Sequence, residues 1–128
     1  MSTLAIVQAR MTSTRFPGKV LAPLAGKPMV IRQLERIQRA RTLDAVVVAT
    51  SSDPSDDELA AVIERAGVPV VRGSLDDVLA RFIAAIDVFE PDTVVRLTAD
   101  CPLTSPAVID LVVEVFRASG ADYASNTM

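Results

Sequence analysis

The chain has 128 residues, half of them apolar and 4% aromatic, with 13 Lys/Arg against 16 Asp/Glu, no His and one Cys. That length fits a single domain over residues 1 to 128, burying roughly two thirds of its unfolded surface, and no apolar run approaches the about 20 residues that cross a bilayer. The lack of His removes the commonest general base and a common zinc ligand, the lone Cys101 has no disulfide partner, and the start of the chain has no charged-then-apolar leader, so the expected compartment is the reducing cytoplasm.

The charge is unevenly spread. Residues 1 to 41 hold eight Lys/Arg and one acid, Glu35, a balance of +7, and the remainder carries −10. Four of those cations, Arg32, Arg36, Arg39 and Arg41, fall on one expected helix, where a solvated face accounts for them. With few aromatics to stack on bases, nucleic acid is not an expected partner, and neither is a membrane.

Thr3 to Ala9 (TLAIVQA) is a short apolar run rich in branched residues and reads as a buried strand. The loop after it, Ala9 to Lys19 (ARMTSTRFPGK), concentrates Arg10, Arg15 and Lys19 without an acid, so its natural ligand is a polyanion. Gly26 breaks the chain, Lys27-Pro28 opens a helix with Pro at its first position, and Val30, Ile31, Leu34 and Ile37 recur at helical spacing, carrying the helix to about Arg41. Asp44 to Thr50 (DAVVVAT) is a second strand, apolar on both faces as parallel strands are. Ser55 and Glu58 have capping-box spacing ahead of Leu59, Val62 and Ile63, and Gly67 closes that helix. Pro69 to Val71 is a short third strand, and Ser74 and Asp77 form another cap signature before Val78, Leu79, Phe82, Ile83 and Ile86. Asp92 to Thr98 (DTVVRLT) is a fourth strand. Ser105-Pro106 then starts a helix through Val108, Ile109, Val112, Val115 and Phe116, stopped by Gly120, with Ala121 to Ala124 as a candidate fifth strand. The alternation predicts an α/β fold, an open and mostly parallel sheet with helices on both faces joined by right-handed crossovers.

In such a sheet the ligand sits at the carboxyl ends of the strands. The loops holding Arg10 to Lys19, Thr50 to Asp53, Arg72 to Asp77, and Asp100 therefore converge on one crevice. Cations from the first loop then face a carboxylate from the fourth. That suits several phosphates bridged to Mg²⁺, which takes one or two carboxylates and fills its other positions with phosphate oxygens and water. A Walker A loop is excluded, because Gly18-Lys19 is followed by Val20 and Ser13 stands five places before Gly18; the spaced glycines of the dinucleotide fingerprint are missing too. What remains is a polar turn in which Ser13, Thr14 and backbone N–H groups donate to phosphates while Arg and Lys neutralise them.

The run R-M-T-S-T-R-F-P-G-K-V-L, followed by G-K-P-M at residues 26 to 29, resembles the amino-terminal signature of the cytidylyltransferases that make CMP-sugars: the 3-deoxy-manno-octulosonate, acylneuraminate and spore-coat polysaccharide types. The spore-coat branch fits best, through A-T-S at 49 to 51, D-D-E-L at 56 to 59, R-G-S at 72 to 74, D-V-L-A-R-F at 77 to 82 and R-L-T-A-D-C-P at 96 to 102. The resemblance implies a Rossmann-like nucleotidyltransferase fold and attack of an acceptor on the α-phosphorus of CTP, with Mg²⁺, releasing pyrophosphate. Family members are commonly longer, their later half supplying a dimerisation arm, much of the acceptor site and often a second metal-binding Asp. The chain is thus expected to be the amino-terminal part of a longer protein or a minimal member. The short form resembles the cytidylyltransferase part of the bifunctional fosfomycin-biosynthesis enzyme. That implies 2-hydroxyethylphosphonate as the anionic acceptor and a fused or associated phosphomutase as partner, ahead of an acidic or amino sugar; a third reading is a nucleotide-binding fragment inactive without its other half.

On this resemblance Arg10, Lys19 and Arg15 are the catalytic, triphosphate-facing cations, with Arg15 alternatively orienting the loop. Ala9, Ser13, Gly18, Thr50, Arg72 and Asp77 complete the nucleotide-binding set. Ser13 either donates to a phosphate or caps the turn, and Arg72 lies where relatives read the cytosine or its ribose. Asp77 reads first as a helix cap and second, like Asp76, as a nucleotide contact. Asp100 ends a buried strand, where a carboxylate is costly unless paired; the expected role is a metal ligand, and the alternative is a salt bridge to Arg96 or Arg10. Arg96 reaches the acceptor's anionic group or sits on the strand's exposed end. Cys101, with no His or Lys beside it, is a packing residue.

Overall fold

Residues 2–12, 18–99 and 104–125 are described in a computed structural model of the chain. In chain order its elements are β1 (Thr3–Gln8), β2 (Pro23–Leu24), β3 (Lys27–Pro28), α1 (Met29–Ile37), β4 (Ala45–Ser51), α2 (Asp57–Arg65), β5 (Val70–Gly73), α3 (Val78–Phe89), β6 (Thr93–Thr98) and α4 (Pro106–Ser119). β1, β4, β5 and β6 form a parallel sheet in the order β5-β4-β1-β6, and β2 pairs antiparallel with β3. This is the α/β architecture expected from the alternation of strands and helices.

The order of the strands explains which face each helix takes. The chain steps from β1 to β4 to β5 in one direction, then returns past β1 to β6. A right-handed crossover reverses face when its direction reverses. Accordingly α1 and α2 pack on one face, joined there by α4, so that Val30, Leu34, Ile37, Leu59, Ile63, Ile109 and Val113 meet Ala5, Val7 and Val48. On the other face Phe82 and Ala85 of α3 meet Leu4, Ile6, Val47 and Ala49. Leu4 to Val7 are almost completely buried because β1 is central and covered on both sides. Among the described residues no helix is long and apolar enough to cross a membrane.

Several local expectations change. Lys27 and Pro28 do not open α1; they form β3, and Pro28 is the residue before the helix, which ends at Ile37 rather than near Arg41. The reason lies in Gly26, whose φ of +86° turns the chain back so that residues 23–24 pair with 27–28. Arg32 and Arg36 are not a solvated face. Arg32 donates to the carbonyls of Leu24 and Ala25, pinning that hairpin, and Arg36 donates to Thr104 O at 2.9 Å. The Ser55/Glu58 capping box does not form: Asp53 accepts from Ser55 N at 3.0 Å, and a short 3-10 turn at residues 54–56 precedes α2. Residues 121–124 adopt no strand. The Ser105 and Asp77 caps are present, each side chain accepting from the backbone N–H three residues on.

Asp110 was not singled out by sequence, yet it ties α4 to the start of β4's approach. Its carboxylate accepts from Arg41 N, Thr42 N and Thr42 Oγ1 at 3.1, 2.9 and 2.6 Å. Burial opposes its ionisation, but the Thr42 hydroxyl, the two amides and the Arg41 charge outweigh burial and hold the carboxyl below its ordinary range. A carboxyl with a lowered folded pKa contributes stability that is present above the unfolded value, about 3.9, and is lost as pH falls through the folded value. Asp110→Asn is therefore expected to cost on the order of 2 kcal/mol at neutral pH, with the difference from wild type shrinking below about pH 4. Denaturant melts at both pH values measure it; a gap that does not shrink would show that Asp110's charge is not the source.

Candidate functional site

The carboxyl ends of the four parallel strands are laced together by main-chain bonds that continue past the strands. Ala9 N donates to Ala49 O (3.1 Å), Ala99 N to Gln8 O (2.9 Å) and Ser52 N to Gly73 O (2.7 Å). The order reverses at β1, with β4 on one side and β6 on the other, so the crevice of this sheet opens between β1 and β6. The loop after β1 begins there.

That loop is closed on itself through Met11. Gly18 N donates to Met11 O at 2.7 Å, and Met11 N donates to Asp56 Oδ1 at 2.7 Å, so both main-chain groups of one residue are fixed. Gly18 occupies the left-handed region with φ +75°, which explains a glycine at this turn. Lys19 follows at once, first in a 3-10 turn over residues 19–21, and both Lys19 and Arg10 are exposed. The two cations thus flank a closed turn above the buried end of β1, where Ala9 is 3% exposed. Exposed cations on a pinned backbone need no rearrangement to receive negative charge.

Asp56 is the residue that sequence reasoning missed here. Its side chain is fully buried; Oδ1 accepts from the Met11 amide and Oδ2 from the Ser51 hydroxyl. It therefore joins the end of β4 to the start of the cationic loop. Arg81 was missed as well. It lies on α3 with no exposed surface, and its Nη1 donates to Ser74 O and Leu75 O at 3.0 and 2.9 Å. Burial pushes the Arg81 guanidinium below the usual arginine value, with Arg10 adding to the effect and Asp56 and Asp77 opposing it. A signal existed for it: Val78, Arg81, Phe82 and Ala85 share one helical stripe, so Arg81 occupies a core-facing position. Gln33 is the same case on α1, between Val30 and Leu34. Its Nε2 donates to Thr98 O and Thr104 Oγ1 at 2.7 and 3.2 Å, bracing both sides of the turn between β6 and α4.

The other candidates separate. Arg72 is engaged with the loop before α2, donating to Ser51 O, Asp53 O and Asp57 Oδ1 at 2.8, 3.0 and 2.8 Å. Asp77 caps α3 through Ala80 N, as its first reading had it. Thr50 is fully buried at the end of β4, its hydroxyl without a partner among the described residues. Arg96 is exposed, its guanidinium carbon 5.2 Å from the centre of the Phe82 ring. Ser13, Arg15, Asp100 and Cys101 lie outside the described residues. Among the described residues no three metal-ligating side chains gather, and Asp53, Asp56, Asp57 and Asp77 each have hydrogen-bond partners already.

Comparison with known proteins agrees with this arrangement. A family model described as cytidylyltransferase matches residues 4–128. The spore coat polysaccharide biosynthesis protein SpsF of Bacillus subtilis is 38% identical over 124 residues, covering 94% of this chain and 52% of that protein. A cytidylyltransferase structure from Leptospira borgpetersenii superposes with a TM-score of 0.87 at 36% identity, over 92% of this chain and 50% of that one. A CMP:2-keto-3-deoxy-manno-octonic acid synthetase complexed with CTP gives 0.82 at 25% identity, over 94% and 49%. The chain spans about half the length of the relatives it matches. A parallel sheet that reverses at β1, a cationic turn pinned at that point and a match over nearly every residue place the chain in the cytidylyltransferase family.

Proposed function

We propose that the chain binds CTP at the carboxyl edge of its sheet and transfers CMP to an acidic sugar, releasing pyrophosphate. The observation that carries this reading is the turn closed at Met11, with the exposed cations Arg10 and Lys19 on either side of it just past the carboxyl end of β1. The acceptor's hydroxyl oxygen bonds to the α-phosphorus, the bond to the bridging oxygen breaks, pyrophosphate leaves with the electron pair, and the hydroxyl proton passes to water. Negative charge builds on the leaving pyrophosphate, and the two cations are set to stabilise it there. Asp100, which follows β6 in the sequence, is the carboxylate that would hold Mg²⁺, with phosphate oxygens and water completing the set. Bound there, the ion would neutralise phosphate charge.

The relatives support a sugar acceptor over 2-hydroxyethylphosphonate, one by its place in polysaccharide biosynthesis and one by its sugar-acid product. On that basis a sugar acceptor is preferred to the expected phosphonate acceptor with its phosphomutase partner. The phosphonate's main support was short length, and the chain aligns with about half of a sugar-transferring protein, so length does not mark a separate acceptor class. The same half-length match favours a second reading, a nucleotide-binding part that turns over only with the remaining half. Incubation with CTP, Mg²⁺ and 3-deoxy-manno-octulosonate should release pyrophosphate in an acceptor-dependent way. Calorimetric CTP binding without turnover would favour the second reading, and no CTP binding would end both.

A further inference from the structure

Among the described residues Arg81 leaves more buried side-chain polar atoms unpaired than any other. Two bonds from Nη1 hold the carbonyls of Ser74 and Leu75, while Nε and Nη2, also buried, have no partner among the described residues. A guanidinium has five donors and no acceptor, and buried donors left unpaired call for an explanation. Its place in the fold is specific. A Cβ on Gly73, the last residue of β5, would stand 3.2 Å from Arg81 Cγ, so glycine there lets the side chain pass directly against the carboxyl end of the strand. Gly73 in turn pairs with Ser51, whose hydroxyl is held by Asp56. Arg81 therefore lies at the same edge as the pinned turn, near Arg10. Asp56 offers it little, because Asp56 Oδ1 and Oδ2 already accept from Met11 N and Ser51 Oγ. Asp77, the other acid that acts on Arg81, is committed as well, its carboxylate accepting from Ala80 N.

We propose that Arg81 is a binding residue for the polyphosphate of a nucleoside triphosphate, its Nε and Nη2, buried in the unliganded protein, becoming a two-donor edge to phosphate oxygens when the ligand enters. Planar, paired donors match phosphate geometry better than a point charge does. The proposal rests on the reading of this edge as a nucleotide site. The unliganded protein bears the cost of the unpaired donors, and ligand relieves it, so affinity and resting stability are coupled in opposite directions through one side chain.

The test compares wild type, Arg81→Met and Arg81→Lys by thermal melting without ligand and by titration with CTP, inorganic triphosphate and cytidine. Arg81→Met should melt at or above the wild-type temperature, lose at least tenfold in affinity for both CTP and triphosphate, and keep wild-type cytidine binding. Arg81→Lys, which keeps the charge but not the fork, should fall between the two. An Arg81→Met affinity for CTP within twofold of wild type overturns the proposal. So does a large drop in melting temperature with equal loss of cytidine binding, since that is the behaviour of a structural residue. If wild type binds triphosphate through Arg81 but shows no preference for CTP, the assignment of Arg81 stands while the cytidylyltransferase reading fails; binding of neither probe overturns both.

Discussion

Lys19→Ala is expected to lower kcat/KM for CTP by about 100- to 1,000-fold, the range seen when one preorganised donor to developing charge is removed. Its fold should be almost untouched, with stability within about 0.5 kcal/mol of wild type, because the side chain is exposed and stands just beyond the Gly18 turn rather than within it. Arg10→Ala should lose activity to a similar degree for the same reason. It differs in one respect: Arg10 depresses the Arg81 guanidinium, so its removal relieves a repulsion and should leave stability unchanged or slightly raised. Pyrophosphate release at varied CTP gives the rates, and calorimetry gives CTP affinity where turnover is low. Rates within about tenfold of wild type for both variants would take the pinned turn out of the chemistry.

The fold was legible because its evidence is periodic. Buried parallel strands read as runs such as DAVVVAT, helices as apolar residues at spacings of three and four, and their alternation leaves few topologies. The cationic turn was legible because it is a local concentration of charge. What stayed hidden depends on contacts distant in sequence. Asp56 could be read as part of a helix start, but nothing local says that its carboxylate reaches Met11, 45 residues earlier. Ser55 and Glu58 had the right spacing for a cap, and Asp53 won because its side chain reaches both the Ser55 amide and hydroxyl. Arg72 stands where a ligand contact was expected and is occupied with the loop beside it. One pattern was available and unused. Gln33, Arg81 and Asp110 each interrupt an apolar helical stripe, and a polar residue at a core-facing position has to find a partner, within the chain or outside it.

Asp56→Ala should be the most damaging single change outside the turn's own cations. It leaves a half-buried backbone donor at Met11 and a buried hydroxyl at Ser51 without acceptors, and each lost partner in a buried place costs about 1–3 kcal/mol; a total of about 3 kcal/mol lowers the melting temperature by roughly 10 °C for a chain of this size. It also removes the carboxylate that opposes the depression of Arg81, so the variant adds an electrostatic penalty to the lost bonds. Asp56→Asn separates the two effects. The amide oxygen can still accept from Met11, and the Ser51 hydroxyl can reverse its role and accept from the amide nitrogen, so the geometry is retained while the charge is gone. Asp56→Asn should therefore keep more of the stability than Asp56→Ala, with the loop still closed at Met11. Under the nucleotide reading, KM for CTP should rise steeply in Asp56→Ala, where the turn is no longer held at its start, and much less in Asp56→Asn. Equal KM values in the two variants would mean that the staple holds the fold but does not position the turn, because closure by Gly18 alone would then be enough to present Arg10 and Lys19.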